Sequence, residues 1–171
     1  MSSSSRTHRQ EVNAKSGDLP PATLIVGLGN PLRGDDGVGV RVAEALAAQP
    51  LPDGVEVIDG GTQGLGIVNL LENKKRVILV DAADIGKQPG EFVSFDLNQA
   101  KLLGGGKQLS VHAAGLRDAL LLAQALEILP DEVIIFGVQP ASLEWDAGLS
   151  PQVKAALSNI ITAVLNQVGS G

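Results

Sequence analysis

Three apolar runs punctuate the chain: LIVGL at 24–28, VILV at 77–80 and VIIFGV at 133–138. Runs of this length without polar alternation are what a strand buried on both faces of a parallel sheet requires. Between them the spacing turns helical. Val38, Val42, Ala45 and Leu46 recur at helical intervals and predict a helix over 36–48, with Asp35 or Asp36 placed to cap it. VEVID at 55–59 predicts a short strand closed by the turn GGT, GIVNLLEN at 66–73 a short helix, and RVILVDA at 76–82 a third strand. GEFVSFDL at 90–97 alternates Phe92, Ser94 and Asp96 against Val93, Phe95 and Leu97, as an edge strand with one wet face would. Helices are predicted over 112–126 and 150–168, with a buried strand over 132–140 between them. Ser150 is expected to cap the last helix, with Pro151 at its first position.

Strands alternating with helices predict an α/β fold: three layers, a mainly parallel twisted sheet with helices on both faces, phosphorylase/hydrolase-like. Residues 22–171 read as one domain, preceded by a disordered extension over 1–21 that lacks the hydrophobic centre of a secretory signal. KLLGGGKQ at 101–108 reads as a glycine-rich, mobile loop. In such sheets ligands bind beyond the carboxyl ends of the strands. That directs attention to residues 30–36, 59–62, 81–84 and the chain from 139 onward.

Composition then narrows the chemistry. A net charge of −6, a single tryptophan and no tyrosine leave neither a basic face nor stacking platforms for nucleic acid. The absence of cysteine excludes disulfides, thiolate metal sites and a cysteine nucleophile, and suits a reducing cytoplasm. No apolar run approaches the roughly 20 residues of a membrane span. A cytoplasmic protein, monomeric and without membrane or nucleic-acid partners, is expected.

The segment GLGNPLRGDDGVGV at 27–40 resembles a phosphate loop only in part. Leu32 stands where a dinucleotide fingerprint needs its third glycine, and Asp35 and Asp36 replace the lysine and hydroxyl of a P-loop. Two carboxylates at a helix start repel phosphate. They are, however, metal ligands by type. Asp36 after the first strand and Asp81 at the end of the third fall on one predicted rim, and His112 is the only histidine outside the extension that holds His8. Two carboxylates and an imidazole make an oxygen and nitrogen donor set suited to nickel, zinc or manganese. On the residues alone, a plainer account stands beside this one: a helix cap, a strand-end turn residue and an exposed helix start. Ser110, His112 and Asp81 are the residue types of a serine hydrolase, but no G-x-S-x-G elbow presents the serine, which is expected to help cap the helix after it. Trp145 is expected to cover part of the sheet end from a solvated loop.

LIVGLGNP resembles the opening of bacterial peptidyl-tRNA hydrolases, but the likeness stops after eight residues, where no catalytic histidine follows. A second resemblance spans about Thr23 to Val168. GLGNPLRGDDGVGVRVAEAL, VEVIDGGTQGLGIVNLL, RVILVDAADIGKQPGEFVSFDL, LSVHAAGLRDALLLA and EVIIFGVQPASLEW through GLSPQV occur in the order found in NiFe-hydrogenase maturation endopeptidases. This resemblance implies a nickel-dependent, aspartyl-type endopeptidase. Such an enzyme removes the C-terminal extension of a hydrogenase large-subunit precursor once nickel has been inserted. It also implies that Asp36, Asp81 and His112 bind metal and act in catalysis, the nickel being carried by the precursor, with zinc or another divalent ion able to substitute. Asp35 and Asp59 are expected near the same cleft, either one free to serve as general base. Asp35 is the expected helix cap, and the loop glycines are expected to let substrate or metal come close. A non-catalytic chaperone that checks the precursor's nickel would need the same ligands.

Overall fold

The computed structural model describes residues 22–97, 110–111 and 116–169. The extension over 1–21 with His8, the glycine loop over 101–108, and His112 lie outside the described residues. The elements follow in the order β1 (Thr23–Leu28), α1 (Val38–Ala47), β2 (Val55–Gly61), α2 (Val68–Leu71), β3 (Arg76–Asp84), β4 (Phe92–Asp96), β5 (Ser110–Val111), α3 (Leu116–Ala125), β6 (Glu132–Val138) and α4 (Pro151–Val168). Short 3-10 turns, Gly34–Gly37 and Gly64–Ile67, lead into α1 and α2. No helix among the described residues is long and apolar enough to cross a membrane.

The main sheet has the order β2-β1-β3-β6-β4, parallel except for β4 at one edge, and β5 pairs antiparallel with the end of β3. The continuous apolar runs are the three central strands, as their lack of alternation requires. Successive side chains divide between two cores. Leu24, Val26, Val77, Leu79, Val133 and Ile135 pack with α2 and α3, whereas Ile25, Ile78, Val80, Ile134 and Phe136 pack with α1 and α4. The expected three-layer α/β architecture is therefore present. Ser150 caps α4 by accepting from Val153 N–H, with Pro151 beginning the helix. The edge strand β4 is drier than its alternation implies. Ser94 is exposed, but Phe92 sits 6.1 Å from Phe136 between ring centroids and joins the α1/α4 core. Ser110 lies in β5 opposite Asp84.

Two glycines of this segment, Gly27 in β1 and Gly39 in α1, serve packing. A Cβ on Gly39, inside α1, would fall 2.1 Å from Val80 O and 2.4 Å from Leu28 O. One on Gly27 would meet Gly39 O at 2.0 Å. Here helix backbone lies directly on strand backbone, which only glycine permits. Gly39→Ala is therefore expected to destabilise the fold by about 1–3 kcal/mol, as overpacking does, read from the midpoint of urea unfolding.

Candidate active-site cleft

The site lies where the sheet changes direction. From β1 the chain turns through α1 to β2 on one side, while β3 flanks β1 on the other. Such a reversal opens a crevice at the carboxyl ends of the strands. Pairing between β1 and β3 ends at Gly27 and Val80, so the next residue of β3, Asp81, stands beside the loop that leaves β1. It continues the Val77 and Leu79 row, on the face covered by α2 and α3. Opposite it, the loop from Gly29 to Asp36 folds back on itself. Gly29, at φ +115°, lies so close to Asp36 that a Cβ would sit 1.7 Å from its carbonyl oxygen, and Asn30 N–H donates to Asp36 Oδ2 at 2.9 Å.

Asp36 and Asp81 thereby line one cleft of about 170 Å³, together with Asn30, Arg33 and Thr62. Asp81 is 1% exposed, and its Oδ2 has no hydrogen-bond partner among the described residues. Burial, then the charge of Asp36, pushes its carboxyl up from 3.8 to about 7, against a lowering by the backbone bond from Ala82. A buried carboxylate oxygen, unpartnered among the described residues, thus stands beside a second carboxylate. That donor set fits a divalent cation. Among the described residues no three His, Asp or Glu side chains converge as a metal group. The third expected ligand, His112, lies outside them, directly after Val111, which pairs with Ala83 two residues beyond Asp81.

Asp35 and Asp59 are elsewhere. Asp35 does not cap α1: the residue before that helix is Gly37, with no side-chain cap bond. Its carboxylate is 1% exposed and turns away from the cleft toward the loop after β6. Oδ1 accepts Ser150 N–H at 2.7 Å, and Oδ2 accepts Ala141 N–H at 2.8 Å and Ser142 N–H at 3.3 Å. With its oxygens committed to three backbone donors, it is not placed to act as a base in the cleft. Asp59 is exposed and accepts Gly61 N–H at 2.8 Å within the end of β2, without lining the cleft. Trp145 does not cover the sheet end. It is 74% exposed, with the Arg33 guanidinium carbon 5.6 Å from its ring centroid. Arg33 carries no sequence motif that would single it out.

Known proteins resemble this chain in sequence and in fold. The family profile described as hydrogenase maturation protease matches residues 40–167. The hydrogenase expression/formation protein HupD of Bradyrhizobium diazoefficiens is 38% identical over 133 residues, 77% of this chain and 69% of its own. The hydrogenase 2 maturation protease of Escherichia coli is 35% identical over 144 residues, 83% of this chain and 87% of its own. Among solved structures, the E. coli hydrogenase maturating endopeptidase HybD superposes with a TM-score of 0.75 at 34% identity, covering 85% of this chain and 91% of that one. The chain belongs to the hydrogenase maturation protease family and is an endopeptidase of that family.

Proposed function

We propose that the protein cuts the C-terminal extension from the large-subunit precursor of a NiFe-hydrogenase after nickel insertion, and that Asp36, Asp81 and His112 are the side chains that meet the nickel. The paired carboxylates carry this reading, above all the buried Oδ2 of Asp81 beside Asp36, unpartnered among the described residues. Nickel arrives as part of the substrate, so recognition of a finished metal centre and cleavage next to it would use one set of groups. A divalent ion held there polarises a carbonyl or lowers the pKa of water. The chain itself supplies two carboxylates fixed in place by strand and loop, in a cleft at the sheet's switch point. Zinc or manganese suits the same donors. Family kinship supports the choice of substrate.

Purified protein mixed with nickel-loaded or nickel-free precursor tests this directly through the mass of the product. Loss of a C-terminal segment is expected from the loaded form alone. No cleavage of loaded precursor would refute the protease reading, whereas equal cleavage of both forms would refute the dependence on nickel.

A further inference from the structure

Beside the paired carboxylates the cleft holds a cation that they do not use. Arg33 lines it with Asp36 and Asp81. The ion pairs of the described residues join Arg41, Lys74 and Arg76 to glutamates and leave Arg33 out. The Arg33 Nε is buried without a hydrogen-bond partner among the described residues. Arg33 instead rests against Trp145, the largest exposed apolar side chain on the surface.

Neither partner of this contact is loosely held. The Trp145 loop is tied to the residues just after Arg33 by five hydrogen bonds. Three run from Ala141, Ser142 and Ser150 N–H to the Asp35 carboxylate. Two more run from Gly34 N–H to Asp146 O at 2.7 Å and from Asp35 N–H to Ser142 O at 3.1 Å. Indole and guanidinium thus stand on two loops locked together one residue away. Such preorganisation lowers the ordering cost of binding.

A guanidinium in cation–π contact with a ring still has N–H groups to give a planar oxygen acceptor. A carboxylate and a peptide carbonyl both qualify. Asp36, Asp81 and a net charge of −6 oppose an anion at this mouth, while a neutral carbonyl meets no such barrier. We propose that Arg33, seated on Trp145, is a binding contact for a backbone carbonyl of the precursor tail. The assignment rests on the processing reading above, because it takes that precursor as ligand.

Trp145 is the chain's only tryptophan, so full-length protein labelled with 5-fluorotryptophan gives one fluorine resonance reporting on the platform. Titration with unlabelled nickel-loaded precursor is expected to shift it saturably. In Arg33→Gln the binding should weaken about tenfold or more, as loss of a charged hydrogen bond does, with KM rising in step and kcat within about twofold. Arg33→Lys keeps the charge but loses the planar fork, and should remain weaker than wild type. The Arg33→Gln penalty should persist in about 0.5 M sodium chloride, where an exposed ion pair is screened. The inference fails if the resonance stays fixed while precursor is cleaved, or if Lys restores full binding. It fails equally if the penalty disappears in salt, which would assign a carboxylate partner, or if kcat falls with KM unchanged. A wild-type protein that shifts its resonance, loses the shift in Arg33→Gln and yet never cleaves would keep this contact and overturn the processing reading instead.

Discussion

Replacing Asp81 by asparagine is expected to abolish precursor processing and, in the same protein, to raise the melting temperature at pH 8. The activity falls because the buried oxygen that faces the cleft would no longer be an anion. The stability rises for a reason that can be signed. In the unfolded chain the carboxyl titrates near 3.8, whereas burial and then Asp36 push it up to about 7 in the fold. Between those values the native state holds a proton that the unfolded state has released. Stability therefore declines as pH climbs through the window and levels off above it. At about 1.4 kcal/mol per pH unit the full penalty has a ceiling of a few kcal/mol. Asparagine removes it, and its amide nitrogen can donate toward Asp36. For a chain of this size the gain corresponds to roughly 5–10 °C at pH 8 and shrinks toward nothing near pH 4. Superimposable melting profiles for wild type and variant between pH 4 and 8 would contradict the account.

Asp35→Ala should have the opposite character, with a large loss of stability. Its side chain is fully enclosed and satisfies the N–H groups of Ala141, Ser142 and Ser150. Alanine leaves three donors without an acceptor, each costing about 1–3 kcal/mol when it stays buried. Water reaching the opened space recovers part of that, so a net loss of about 3–5 kcal/mol is expected, a large share of a typical domain's stability. Urea unfolding measures it. Hydrogen exchange at the three amides should accelerate ahead of global unfolding, and the Trp145 emission should change as its loop loosens. A loss below about 1 kcal/mol with unchanged exchange would show that the loop holds itself.

The two aspartates are adjacent and chemically identical, and this is where sequence reading reached its limit. Asp36 was legible from chain order, because it follows a central strand and faces a rim shared with Asp81. Asp35 was not, because its partners lie 106 to 115 residues away in a loop whose path no periodicity reveals. The central strands were readable for the opposite reason: burial on both faces leaves a continuous apolar signature that needs no distant information. Gly39 shows a third case. Helix propensity penalises glycine there, and only the contact of α1 with Leu28 and Val80 backbone explains it. Arg33 and Trp145 lie 112 positions apart, and composition alone marked the tryptophan as singular without giving it a neighbour.

The grip of Asp35 on the loop after β6 is entirely on main-chain N–H groups. A socket that reads backbone alone is indifferent to the side chains it holds, save that proline is barred from positions 141, 142 and 150, where the hydrogen is needed. The chain places prolines at 140 and 151 instead, on either side of those positions. Side chains on this loop can therefore be exchanged without loosening its anchorage beside the cleft.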